Sequence, residues 1–310
     1  MVYRRFQRPL TGMDIGSSSL KIVQVQKDKK GWRLLAARTF PFQKDTLKLS
    51  LKTQNINDPQ AFLETLGHAL SSFERKVHRV GLSVPNEITK ITIRRYASLP
   101  KSREEAEKMI AWMAKKSLPF PAEKTKISHV ALNDEVGTGR KLLVAIGSYD
   151  VIREYELNLR ELKVEPEVIR PAGINQFNFY CDRIPRTGVM AFLGLFRGYF
   201  NLFVCARGSI LFYHGVKRGF SDIHFFQDVD MTISLFRNEN PGHKIERLYF
   251  ASQVGFGKTL EQGLRTMGEM SIGRMREEEL IALDVSAVDG IEDGGLSSYA
   301  SAIGAAQSLA

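Results

Sequence analysis

The sequence predicts an α/β protein of two lobes around a cleft, with a small α+β unit inserted between them. Two three-strand meanders, at 11–40 and 189–216, show the same succession of apolar alternations and tight turns. Helix-period segments follow each copy, so each meander has a partner layer against which to bury its apolar face. The chain has 310 residues, more than one core of ~250–300 residues usually supports. An apolar content of 43% and a charged content of 25% match an ordinary globular chain.

In order, the first meander has strands at 11–15, 20–26 and 32–40. Asp58-Pro59 then reads as N-cap and first-turn proline of a helix with apolar face Phe62, Leu63, Leu66, Ala69, Leu70 and Phe73. A short strand at 79–85 is closed by Pro85. From there to about Ala172 the pattern changes to a compact insertion: strand 87–96, helix 103–117, strands 127–133 and 141–147, helix 149–162 and strand 164–169. Ser102 and Glu105 form a capping box for the helix at 103–117, whose buried stripe is expected to be Ala106, Met109, Ile110, Met113 and Ala114. The second meander has strands at 189–195, 199–205 and 209–216; a strand at 247–251 and a helix at 258–267 follow. The expected division is a first lobe at 1–82, the inserted subdomain at 83–172 and a second lobe at 173–310.

The segment 12–23 carries the chemistry. Asp14, Gly16 and the hydroxyls of Ser17, Ser18 and Ser19 lie between two apolar β-like stretches, with Lys21 just beyond the turn. A carboxylate can hold Mg²⁺ through water, glycine allows a sharp turn, and serine N–H and O–H groups donate to phosphate oxygens. A bare D-x-G is ordinarily a polar hairpin; the flanking apolar periods and the N-terminal position favour a phosphate loop. The segment resembles the first phosphate loop of the actin-like ATPase superfamily, whose fold is a ribonuclease H-like duplication. More narrowly, the chain resembles the PilM family of type IV and MSHA pilus assembly. There the residues are Lys116-Ser117-Leu118-Pro119-Phe120-Pro121 after an amphipathic helix, followed by the strand Ile127-Ser128-His129-Val130-Ala131-Leu132.

The resemblance implies a cytoplasmic scaffold, peripheral to the inner membrane, that binds the N-terminal cytoplasmic peptide of a PilN-like membrane protein. The strand at 87–96 and the helix at 103–117 are the candidate groove elements. It also implies a nucleotide cleft for ATP, with Asp14 holding Mg²⁺ through water if nucleotide binds; a cleft that takes no cofactor is the alternative. In such proteins paired glycines directly follow the strand that precedes the adenosine site. Here Gly255 and Gly257 are displaced and split, and Lys258 opens the next helix beside the cleft. Residues 299–310 resemble the family's closing small-residue helix, which packs against the interlobe hinge.

The second half departs from that pattern. Where a second phosphate loop would present an acid and a glycine, the chain has Phe192-Leu193-Gly194-Leu195-Phe196-Arg197-Gly198-Tyr199, with no carboxylate. Arg197 can contact a phosphate but can neither bind Mg²⁺ nor act as a base. Loss of ATP hydrolysis is therefore expected; an active Mg-dependent ATPase using Asp14 is the alternative. Gly257-Lys258-Thr259 mimics the end of a P-loop, but Ser252 stands where the motif's first glycine belongs.

Other function classes find little support. Cys181 and Cys205 are the two cysteines, both in apolar surroundings, as expected of buried thiols in a reducing compartment; the six histidines lack metal-ligand spacing. No apolar run approaches the ~18–20 residues of a membrane span, and no signal-peptide core opens the chain. The net charge of +10 favours an acidic partner. The densest basic cluster, Arg4, Arg5 and Arg8 with Lys27, Lys29 and Lys30, comes without a nucleic-acid-binding motif. Contact with an anionic membrane leaflet is expected of it, and binding of nucleic acid is not.

Overall fold

A computed structural model describes residues 8–133, 138–255, 257–268, 270–284, 291 and 295–310; Arg4 and Arg5 of the basic cluster lie outside the described residues. The first meander is β1 (Leu10–Ile15), β2 (Ser19–Asp28) and β3 (Gly31–Pro41), followed by α1 (Pro59–Ser71) and β4 (Arg79–Val84). Asp58 caps α1 as the sequence indicates, its side chain accepting the Ala61 N–H at 3.0 Å. Next come β5 (Thr89–Tyr96), α2 (Arg103–Ala114), β6 (Thr125–Ala131), β7 (Arg140–Ser148), α3 (Tyr149–Glu161), β8 (Glu165–Pro171) and α4 (Ala172–Tyr180). The second meander is β9 (Val189–Leu195), β10 (Phe200–Ala206) and β11 (Ser209–Val216), followed by α5 (Phe225–Glu239), β12 (Arg247–Ser252), α6 (Gly257–Arg265) and β13 (Ser271–Arg274). A short β14 (Ala282–Leu283) and α7 (Ala300–Gln307) end the chain.

The duplication expected from the two meanders is visible in strand order. One sheet runs β14-β3-β2-β1-β4-β8 and the other β11-β10-β9-β12-β13. In each, an antiparallel meander leads into two parallel strands. Thus α1 and α5 occupy matching places in the chain, as do α3 and α6, and α4 and α7. The result is two related α/β lobes that flank a cleft, the architecture expected from the sequence.

Three cores follow from this layering. Met13, Ile15, Leu20 and Ile22 pack with Phe62 and Leu66 of α1 and Val151 and Tyr155 of α3. Leu193, Leu195, Leu202 and Val204 pack with Val229, Ile233 and Phe236 of α5 and Leu260 and Leu264 of α6. The opposite faces of both sheets share a central core with α4 and α7, including Val23, Phe177, Phe192, Phe203, Tyr299 and Ile303. Here the small residues of α7 matter. A Cβ on Gly12 or Gly81 would lie 2.0 Å from the carbonyl oxygen of Ala302 or Ala305, and one on Gly304 would lie 2.0 Å from that of Asn175. Helix α7 is thereby wedged between β1, β4 and α4 at the junction of the lobes.

The insertion is smaller than the 83–172 stretch expected from the change of pattern. Only β5, β7 and β6 form the separate three-stranded sheet, with Ile110 and Ala111 of α2 in its core. Strand β8 pairs in parallel with β4, and α3 packs on the first lobe. A helix after a strand that leads into a parallel neighbour is the crossover the first sheet needs, which local periodicity does not reveal. Two boundaries also move. Glu87 lies in a 3₁₀ turn at Asn86–Ile88, before β5. The helix expected at 103–117 ends at Ala114, with a 3₁₀ turn at Lys115–Ser117. Met113, expected in the buried stripe, is 51% exposed beside Trp112 at 64%, and Ala111 is buried instead.

Candidate functional site

The β1–β2 turn opens into a cleft of about 240 Å³. Its walls include Asp14, Gly16, Ser17, Ser18, Ser19 and Lys21 from the first lobe, and Arg197, Gln253 and Gly255 from the second. Six of the nine residues expected at the site thus converge in one turn, and Gly255 joins them across the cleft. Gly257 opens α6. The side chain of Lys258 lies outside the described residues.

The turn is tight because the Gly16 N–H donates to the Ser19 carbonyl at 2.9 Å. Beyond it, Asp14 and Lys21 are cross-strand partners. Asp14 is buried; its Oδ2 accepts from Gln253 Nε2 at 3.1 Å, while Oδ1 has no hydrogen-bond partner among the described residues. Burial pushes the carboxyl pKa up to about 6, against the opposing pull of Lys21 and of the Gln253 hydrogen bond. Lys21 Nζ donates to the Ser298 carbonyl at 3.0 Å, just before α7. The hydroxyls of Ser17 to Ser19 carry no internal hydrogen bond among the described residues, so they remain open to a ligand.

Gln253 is the residue that no linear motif announces. From the end of β12 its Nε2 reaches both Asp14 Oδ2 and, at 2.6 Å, Ser301 Oγ. Ser301 in turn donates to the Ala172 carbonyl at 2.9 Å, and its own carbonyl accepts from Ser83 Oγ at 3.0 Å. One amide therefore ties β1, the second lobe and α7 together. On the wall beyond, Glu87 is held above the ordinary carboxylate range by burial, opposed by a backbone hydrogen bond and by Lys217.

The second meander supplies the counterpart of this turn, and its register identifies the matching residues. Asp14 pairs with Lys21 as Gly194 pairs with Asn201. Gly16 N–H to Ser19 oxygen is mirrored by Phe196 N–H to Tyr199 oxygen at 2.8 Å. Gly194 therefore stands where Asp14 stands, and Arg197 where Ser17 stands. The acid's space is also filled. A Cβ on Gly194 would lie 2.3 Å from Gln176 Oε1 and 2.5 Å from Asn201 Oδ1. Both amides are fully buried, and none of their side-chain nitrogen and oxygen atoms has a hydrogen-bond partner among the described residues.

The residues fit a phosphate tail better than a metal. Serine hydroxyls, the Lys21 and Arg197 cations and open turn amides are phosphate donors. For Mg²⁺ the cleft offers the single Asp14 carboxylate from the pair of matching positions, already capped by Gln253. Among the described residues no group of three or more His, Cys, Asp or Glu could hold a metal ion.

Solved structures carry the same fold. The chain superposes on a PilM–PilN type IV pilus biogenesis complex with a TM-score of 0.79 and 17% identity, covering 96% of this chain and 98% of that one. It also resembles the cytoplasmic domain of EpsL, an inner-membrane component of the Vibrio cholerae type II secretion system, with a TM-score of 0.52, 10% identity and coverage of 97% and 95%. A Bacteroides thetaiotaomicron protein with an actin-like ATPase fold gives 0.51, 9% identity and coverage of 89% and 93%. The class defined by fold and cleft is thus the actin-like ATPase fold. Within it, the chain belongs to the type IV pilus assembly protein PilM family, whose model matches residues 12–171. No curated protein matches the chain. Among the described residues no helix is long and apolar enough to cross a membrane.

Proposed function

We propose that this protein is a cytoplasmic scaffold of a type IV pilus inner-membrane platform, in which the actin-like cleft holds nucleotide without hydrolysing it. Family membership supports the assembly role. The observation that carries the loss of hydrolysis is Gly194 at the position matching Asp14, with Gln176 and Asn201 in the space of the missing acid. A hydrolase must orient a water against the terminal phosphate, and the second turn has no group to do so.

The partner in this reading is the N-terminal peptide of a PilN-like inner-membrane protein; the likeness to a PilM–PilN complex supports a PilN-like partner. The inserted sheet supports it, with β5 and β6 as edge strands and Trp112 and Met113 exposed on α2; an edge strand beside apolar anchors suits an extended peptide. The net charge of +10 favours attachment at an anionic leaflet. The orphaned Oδ1 of Asp14 favours the alternative of an active Mg-dependent ATPase.

Phosphate release from Mg·ATP separates the two readings. The expected result is a rate equal to the protein-free background, in wild type and in Asp14→Ala alike. Turnover that disappears in Asp14→Ala would establish the ATPase instead. Titration with a PilN-like N-terminal peptide is expected to give saturable binding that Trp112→Ala weakens.

A further inference from the structure

We infer that the cleft takes the polyphosphate tail of a nucleotide without a metal ion, with Arg197 providing charge that Mg²⁺ supplies where both turns carry an acid. This rests on the nucleotide reading above and assigns its binding chemistry.

Arg197 reaches the cleft through the duplication itself. By register it is the second-lobe counterpart of Ser17, and it lines the cleft facing the serine turn. Its backbone is buttressed: a Cβ on Gly219 would lie 2.6 Å from the Arg197 carbonyl oxygen, so the following segment is packed hard against the turn. The side chain itself is exposed and makes no ion pair among the described residues.

The charges around the cleft leave Arg197 as the uncommitted one. Asp14 is influenced by Lys21, its cross-strand partner. Glu87, which lines the cleft near Gly198, is influenced by Lys217. The Arg197 guanidinium, which makes no ion pair among the described residues, remains for an incoming anion. Guanidinium is always protonated and presents its donors in a planar fork that matches two phosphate oxygens. The metal alternative is poorly served by comparison. Mg²⁺ is usually held by one or two carboxylates together with phosphates. Here the matching second position is a glycine closed off by two amides; of the two carboxylates that line the cleft, Asp14 is buried with one oxygen engaged by Gln253, and Glu87 comes from a different element.

The test is calorimetric titration with ATP, in excess EDTA and in excess Mg²⁺, of wild type, Arg197→Ala and Arg197→Lys. The expected result for wild type is a Kd that agrees between the two conditions within about twofold. Arg197→Ala is expected to weaken binding at least about tenfold in both. Arg197→Lys, which keeps the charge but loses the fork, should fall between them. Because residue 197 is an exposed turn position, unchanged thermal unfolding of the variants will confirm intact folding. Binding that requires Mg²⁺, or that ignores Arg197→Ala, would overturn this assignment and leave the nucleotide cleft standing. No heat and no ATP-induced thermal shift in any condition would remove the nucleotide reading and this inference with it.

Discussion

The turns at residues 15–19 and 195–199 share one backbone plan, down to the hydrogen bond that closes each, and differ in what they present to the cleft. The first holds Asp14 against Lys21 and displays three serines. The second has Gly194 against Asn201, buries Leu195 and Phe196, and displays Arg197. The difference extends to the third strand of each meander, where Thr39 faces Lys21 and Gly215 faces Asn201. A duplicated scaffold can thus keep its sheet order while one copy exchanges an acidic site for neutral packing. The strand pairing depends on backbone hydrogen bonds that every residue type supplies, whereas the chemistry depends on single side chains.

The comparison is broken most severely by restoring the missing acid. Gly194→Asp places a carboxylate against Gln176 Oε1 and Asn201 Oδ1, with no cation to meet it. A loss of roughly 3–5 kcal/mol is expected in urea denaturation, the scale of an uncompensated buried charge. Adding Asn201→Lys recreates the pairing of Asp14 with Lys21 and should recover part of that loss. No recovery would mean that the crowding by Gln176, and not the charge, excludes the acid.

The reverse change at the first turn, Asp14→Asn, should stabilise. The native carboxyl titrates at about 6 against an ordinary value of 3.8, so the folded state holds the proton more tightly than the unfolded chain. Stability therefore falls as pH rises between those values, and above the native pKa the cost stays constant at roughly 3 kcal/mol. Asp14→Asn removes it. Its Tm should exceed that of wild type near about pH 7.5, with the gap closing toward about pH 4. A variant that is less stable at neutral pH would show that Lys21 and Gln253 more than compensate the buried charge.

The smallest effect sharpens the contrast at the third strands. Thr39 Oγ1 lies 2.9 Å from the Tyr299 hydroxyl, a bond whose loss in Thr39→Val should cost about 1 kcal/mol. No matching change exists at Gly215, where a Cβ would lie 1.8 Å from the Tyr199 hydroxyl oxygen.

Much of this molecule could be read in order along the chain. Both meanders appear where the period-two patterns stand, and Asp58 and Ser102 cap their helices as their spacing indicates. The helices α4 and α5 and the strands β13 and β14 were not individually legible. Helix α4 is buried on nearly all sides, including Asn175 and Gln176, so it shows no clear amphipathic stripe. Strand β14 has only two residues, too few for any period. Of the candidate site, the turn from Asp14 to Lys21 is contiguous and was therefore visible. Gln253 and Glu87 were not, because each reaches the cleft from an element distant in sequence.

The sequence by itself determined the local units: alternating strands, capped helices, a glycine–serine turn behind a carboxylate, and a second turn without one. These depend on neighbours a few residues apart, whose spacing is set by the strand and helix repeats. Only the tertiary structure decided that β8 returns to the first sheet, that α7 wedges between the lobes, and that Gln253 reaches across to Asp14. It also decided that Gln176 and Asn201 occupy the space of the absent acid. Those outcomes depend on which strands lie parallel and in what register, and on helices close-packed against them through glycine. Such contacts join residues tens to hundreds of positions apart, where no local period carries the information.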